Sequence, residues 1–237
     1  MTNPYWQTYW STRNSGGHRR SDEEFLLSEA REKIFYLGTG RALLDLGCGS
    51  AELLTYFASG FSIAVGSDFS PSMIAQARER VSRVGLQNVT LIVASEQEIW
   101  QQLGEQKFSC ITAGQVIQYL TLPQIDNLIR EASGRLEPDG KIVLFDVIDP
   151  VLYPLAKAGI LGRKRFNLLT LCARLAVSGL RGSARVCTGK PWNEIGNAYM
   201  EQEFEHAARS NGLRVQKTNS MFYEYRYHLV FTRSGDA

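Results

Sequence analysis

The chain has 237 residues, 44% of them hydrophobic, which is enough for one domain with a full core and room for a lid. A formal charge of +2 makes no electrostatic case for a nucleic-acid partner, and no apolar run reaches the length of a bilayer crossing. The start, MTNPYWQTYW, has neither the basic opening nor the apolar centre of a secretion signal, and the four cysteines (Cys48, Cys110, Cys172, Cys187) form no CxxC pair and no cluster with histidine. Reduced thiols, no bound metal and a cytoplasmic location are therefore expected.

Between residues 41 and 148 strand-like and helix-like segments alternate. RALLDLG reads as a strand, SAELLTYFAS as a helix, SIAVGSD as a strand and SPSMIAQARERVSRVG as a helix. VTLIVAS and FSCITA are two more strands, LPQIDNLIREASGRL is an amphipathic helix, PDG is a turn signal, and KIVLFDVI is a fifth strand. Strands joined by helical crossovers imply a doubly wound, mostly parallel sheet with helices on both faces. Near the end, EQEFEHAARSNG reads as a short helix closed by Gly212, and GLRVQKTNSM and YRYHLVFTR as two antiparallel edge strands, making seven in all.

Two segments do not fit this alternation. YWQTYW sets Tyr5 and Tyr9, and Trp6 and Trp10, four apart; it reads equally as a helix docked on the sheet or an aromatic flap. Residues 150–200 are too long for a simple connection, and from Val151 to Asn193 there is no acid among Lys157, Arg163, Lys164, Arg165, Arg174, Arg181, Arg185 and Lys190. This insert admits three readings: a helical lid over an acceptor pocket, which is favoured, a peripheral contact with an anionic membrane, or a homodimer interface. The expected organisation is one domain over 1–237, with 1–34 as a helical, aromatic flap and 150–200 as the lid.

LLDLGCGSAEL, residues 43–53, places an acid at the end of the first strand and glycines straight after it. Gly47 and Gly49 let the backbone turn sharply and approach a ligand, and the following helix is expected to aim free N–H groups at it. Asp45 argues against a pyrophosphate there and suits a cationic amine. Asp68 ends the second strand, 21 positions after Gly47, where an acid accepts hydrogen bonds from two ribose hydroxyls. A ligand with an amine, a ribose and an adenine but no phosphate is S-adenosylmethionine.

At this point the sequence resembles the class I SAM-dependent methyltransferases. The likeness lies in LLDLGCGSAEL, GSDFSPSMIAQARER, VTLIVASEQEIW, FSCITAGQVIQYL and LEPDGKIVLFDVI, over about residues 35–150 plus the terminal strand pair. It implies that Asp45 helps hold the methionyl amine, that the backbone of Gly47, Cys48 and Gly49 lies under the methionine part, and that Asp68 takes the ribose hydroxyls. It further implies that Phe69 and Met73 flank the adenine, that Ser95 and Glu96 stand beside its amino group, and that Ala113, Gly114 and Gln115 lie near the sulfonium. Three positions depart from the family's pattern. Ala51 replaces a third glycine, with its methyl expected to be tolerated in the helix; Ser95 replaces a frequent Asp, which shifts weight to Glu96; and Gln118 and Tyr119 stand where many relatives carry histidines or other polar residues.

Duller readings stand beside these. Cys48 is a small buried side chain rather than a nucleophile, Met73 is as readily core as adenine contact, and His206 and His228 are structural by default. Tyr119, Asp146, Asp149 and His18 are the candidates for a general base, which an aliphatic hydroxyl acceptor would need and an amine or phenol-like one need not. The chain lacks an Asn/Asp-Pro-Pro-aromatic motif after the fourth strand and a basic-aromatic platform for RNA. The expected activity is therefore methyl transfer to the O or N of a small, partly hydrophobic molecule, a natural product or lipid-like acceptor. A SAM-binding regulatory or scaffold subunit is the alternative, and a NAD- or nucleotide-dependent enzyme a third.

Overall fold

The structure is a computed structural model that describes residue 8, residues 22–161, scattered positions between 172 and 187, and residues 195–235. His18, the YWQTYW segment apart from Thr8, and most of the basic insert lie outside the described residues. Seven strands, β1 Gly40–Leu46, β2 Phe61–Asp68, β3 Val89–Val93, β4 Phe108–Gly114, β5 Leu136–Ile148, β6 Leu213–Asn219 and β7 Arg226–Arg233, form one sheet. Their order is β3-β2-β1-β4-β5-β7-β6. β1 to β5 pair in parallel, and β7 runs antiparallel to both β5 and β6. The two late strands do pair with each other as expected, but the last one is inserted, leaving β6 at the edge. Strand order reverses between β1 and β4, so the crevice of a doubly wound sheet opens above their carboxyl ends.

Side chains alternate between two cores. Ala42, Leu44, Ile111, Ile142 and Leu144 face helices α4 Ile99–Leu103, α5 Leu122–Gly134 and α7 Gln202–Ser210. Leu43, Cys110, Val143 and Phe145 face helices α1 Glu23–Leu37, α2 Leu54–Phe57 and α3 Pro71–Arg83. The longer helices begin as their sequences dictate. Asp22 caps α1 by accepting from Phe25 N, Ser70 caps α3 just before Pro71, and Thr121 with Gln124 forms a capping box on α5.

Three local expectations need correction. The helix foreseen after the first strand is only the four residues of α2 followed by a 3₁₀ turn over Ala58–Gly60, because Ala51 adopts φ +60 and blocks helix through that position. PDG is no break in chain direction: β5 runs from Leu136 through it, and the extra residues are taken up as a register shift against Phe108 and Cys110. Residues 23–34 are not flap but most of α1, which buries Leu26, Ala30, Lys33 and Leu37 on the sheet face. Helix α6, Leu152–Lys157, follows β5.

Candidate active site

The turn after β1 is built from left-handed backbone. Gly47 sits at φ +70 and Gly49 at φ +56. At Gly47 a side chain is excluded twice over, since a Cβ would lie 2.3 Å from Cγ2 of Val116 in the turn after β4. The turns after β1 and β4 therefore touch, across the point where strand order reverses.

Asp68, at the end of β2, is half-buried and reaches across to this turn. Its Oδ2 accepts from Gly49 N at 3.1 Å, and its Oδ1 from Ser70 N at 2.9 Å. Burial pushes its carboxyl above the ordinary value, while the two N–H donors pull the other way. A carboxylate offers about four acceptor positions, so each oxygen keeps one beyond its backbone bond. Asp45 is 6% exposed at the end of the neighbouring strand. Cys48, between the two glycines, has its thiol raised by burial and by the fields of Asp45 and Asp68, which removes it as a nucleophile.

The foreseen battery of N–H groups from a following helix is absent from the turn, since α2 begins only at Leu54. The backbone N–H of Gly49 serves Asp68 instead, and that of Cys48 donates to Ser67 O at 2.9 Å. Phe69 is half-buried; Met73 is 3% exposed in the first turn of α3. Ser95 does not reach outward: its hydroxyl donates to Glu98 Oε2 at 2.8 Å. Glu96 is half-buried, accepts from Gln124 Nε2 at 3.4 Å, and has its carboxyl raised by burial. Ser95 and Glu96 thus separate into a turn-capping residue and an available acid.

On the other side of the crevice the groups are side chains. Gln115, just after β4, has φ +58 and donates from Nε2 to Asp146 Oδ2 at 3.4 Å. Asp146 lies in a bulge of β5 against β7, with φ +60 and 1% exposure. The bulge takes its backbone out of the ladder, and two β7 side chains make good the loss. Asp146 N donates to His228 Nδ1 at 3.1 Å, and Arg226 Nη1 donates to Asp146 O at 2.6 Å. The Asp146 carboxylate itself pairs with Lys33 Nζ at 2.6 Å, and Lys33 also pairs with Glu29, all at zero side-chain exposure. Burial would raise the Asp146 carboxyl, but Lys33, His228 and Arg226 together hold it well below the carboxylate range. As a general base it is poorly suited, being ionised but committed to an ammonium and shut from solvent. Asp149 is likewise occupied, accepting from Val151 N and Leu152 N just before α6.

Tyr119 is the third base candidate among the described residues. It is half-buried in a 3₁₀ turn, Ile117–Tyr119, and its phenol oxygen accepts from Gln118 Nε2 at 2.6 Å. His18 lies outside the described residues.

Residues 43–140 match the methyltransferase domain family. Over that span the chain is similar to that family. It is similar to a demethylmenaquinone methyltransferase of Listeria monocytogenes, 27% identical over 121 residues, which is 50% of this chain and 49% of that one. A demethylmenaquinone methyltransferase of Bacillus cytotoxicus is 24% identical over 51% of this chain and 50% of its own. The chain thus spans about half the length of the curated relatives it matches. Among solved structures, magnesium protoporphyrin IX methyltransferase from Synechocystis, determined with S-adenosylhomocysteine, superposes with a TM-score of 0.57 at 18% identity, covering 98% of this chain and 95% of that one. That likeness is one of fold: the sheet is the seven-stranded class I methyltransferase sheet.

Four buried charged residues behind this wall carry no reading from the sequence: Lys33 and Glu29, Glu32 beside His228 Nε2 at 3.2 Å, and Arg226. A signal for Lys33 existed. Leu26, Ala30, Lys33 and Leu37 recur at helical spacing, so the lysine stands on the apolar stripe of α1 rather than its wet face. For Arg226, the second residue of the apparent edge strand YRYHLVFTR, no such signal stands out.

Proposed function

We propose that the protein transfers a methyl group from S-adenosylmethionine to the O or N of a small, partly hydrophobic acceptor. The observation that carries this reading is the pairing of the first two strand ends. Asp45 and Asp68 stand at the crevice on adjacent parallel strands, and Asp68 is anchored by backbone N–H groups with acceptor capacity to spare. Two carboxylates repel a diphosphate but suit a ligand with an amine and a ribose.

The residues fit that cofactor. Asp68 would take the ribose hydroxyls, Asp45 the amine, the Gly47–Gly49 turn the methionine part, Phe69 and Met73 the adenine faces, and Glu96 the adenine amino group. When bound, S-adenosylmethionine supplies a methyl already activated by a positive sulfur. The chain then has to hold the acceptor in line with it and keep water out. The rigid left-handed backbone at Gln115 and Asp146 supports this, because strained positions beside a site fix geometry in advance. Tyr119 is the proton acceptor in this reading. The printed names of relatives, which act on a demethylmenaquinone or a magnesium porphyrin, favour a bulky conjugated acceptor.

Calorimetric titration tests the reading. S-adenosylmethionine and S-adenosylhomocysteine should bind the wild-type protein, and Asp68→Ala should weaken both by about 100-fold through loss of two charge-assisted hydrogen bonds. Binding of NAD in their place, or unchanged affinity in the variant, would refute it.

A further inference from the structure

We propose that Arg226, acting through the amide of Gln118, orients and polarises the Tyr119 phenol as the proton acceptor of the transfer step; this rests on the methyl-transfer reading above. The argument starts from a donor-only group. Arginine has five N–H donors and no acceptor, so Arg226 Nη1, 2.8 Å from the Gln118 side chain, must face its oxygen. The amide has then only one way round, with Nε2 turned to Tyr119. Its 2.6 Å contact with the phenol oxygen makes that oxygen an acceptor. The hydroxyl hydrogen is turned away from Gln118, and the ionised form of the phenol gains a fixed N–H donor backed by a buried guanidinium.

The relay is held rigidly. Gln118 is 2% exposed and Arg226 3% exposed. Gly196, at φ +104, lets the chain press so closely on Gln118 that a Cβ there would lie 2.4 Å from its carbonyl oxygen. Asn197 N donates to the same carbonyl at 2.6 Å. The same Arg226 nitrogen also holds the bulge carbonyl of Asp146, and its guanidinium lies 5.6 and 5.5 Å from the ring centres of Tyr223 and Tyr225. Among the described residues, the charged and titratable groups about the relay are Arg226 and His228 of β7, Tyr223 and Tyr225 of the loop before it, Asp146 of β5, and Lys33 with Glu29 and Glu32 of α1. The net field at Gln118 comes first from Arg226, because the Asp146 carboxylate is already paired with Lys33.

With S-adenosylmethionine bound, the sulfonium would supply the methyl and keep the carbon–sulfur electron pair, and the phenolate form of Tyr119 would take the proton released by the acceptor and pass it to water. Arg226 and Gln118 touch none of the reacting atoms; they are positioning residues.

The test is a pH titration by NMR of protein carrying ¹³Cζ-labelled tyrosine, with Tyr119→Phe used to assign the resonance. Gln118→Leu should raise the midpoint of Tyr119 by about one pH unit, and Arg226→Lys should raise it by less. An unchanged midpoint in Gln118→Leu overturns the relay. Should Arg226→Lys fail to fold, because it also serves the bulge, Gln118→Leu decides alone. Calorimetry with S-adenosylhomocysteine on the same samples separates the two ideas. Wild-type protein that binds none retires the methyl-transfer reading and with it the role given to the phenol, whereas binding with an unmoved Tyr119 midpoint refutes only the relay.

Discussion

The two walls of the crevice are built on opposite plans. On the β1–β2 side an acid is held by main-chain N–H groups, Gly49 and Ser70 on Asp68, with glycines supplying the bend. On the β4–β5–β7 side main-chain groups are held by side chains, Arg226 and His228 on the bulge at Asp146, and two non-glycine residues carry the left-handed backbone. The first plan is local: Gly49 and Asp68 are 19 positions apart and Asp68 and Ser70 two. The second spans the chain, with Lys33 and Asp146 separated by 113 positions and Arg226 and Gln118 by 108. A site wall made of turns tolerates side-chain change at its surface. A wall made of buried charges fails as a unit when one partner goes.

The largest effect should come from breaking that unit. Lys33→Ala leaves Asp146 and Glu29 facing each other's field without their cation, inside the core. Chemical denaturation should show a loss of about 3–5 kcal/mol, the range for orphaning one partner of a buried ion pair. Replacing the acid as well, in Lys33→Met with Asp146→Asn, should recover part of that loss; an equal or larger loss in the double variant would mean the network is stabilised by packing alone.

Next comes acid. The Asp146 carboxyl is held below its ordinary 3.8, so its stabilisation is whole above that value and is lost as pH falls beneath it toward the folded value. On the order of 2 kcal/mol should disappear between about pH 4 and the acid limit. In Lys33→Ala the acid limb of the stability curve should begin at higher pH, since the cation that depresses the carboxyl is gone. Asp68 has the opposite sign. Its carboxyl is raised, so its contribution is present below 3.8 and is lost as pH rises through the raised value. Asp68→Asn removes that charge but keeps an acceptor for only one of the two backbone N–H groups, so the two effects oppose each other and the ligand-free protein at neutral pH should stay within about 1 kcal/mol of wild type, even as it binds the cofactor poorly. Thermal melts with and without S-adenosylhomocysteine would read both effects; destabilisation of the ligand-free variant beyond that range would place Asp68 in the structural wall.

This contrast also explains what the sequence made legible. The five parallel strands, the glycine turn and Asp68 could be read because each is a short pattern whose physics is local: alternation, turn chemistry, an acid at a strand end. β7's place between β5 and β6 was not legible, since a strand-strand pair without a clear turn leaves the third neighbour open. Asp146 reads from the sequence as a candidate base, but its role is set by Lys33 and by a bulge, neither of which leaves a mark near residue 146. Ser95 and Glu96 were read as a pair, and the structure separates them because Glu98, three residues on, takes the serine.

The smallest expected effect lies at the seam between the walls' two strategies. Ala51 keeps a side chain at φ +60 in a turn otherwise bent by glycines, and its methyl is fully buried among Leu43, Leu54 and Phe57. A left-handed alanine costs about 1–2 kcal/mol, which favours glycine. Against that stand about 0.4–1 kcal/mol of extra chain entropy in the unfolded state and the loss of one buried methyl, about 0.8 kcal/mol. These oppose each other almost evenly, so Ala51→Gly should change unfolding free energy by no more than about 0.5 kcal/mol. A clear stabilisation would mean that the methyl packs poorly and the turn is strained. A clear loss would mean that this turn, unlike Gly47 and Gly49, depends on packing rather than on backbone freedom, and the division between the walls would need to be drawn one residue earlier.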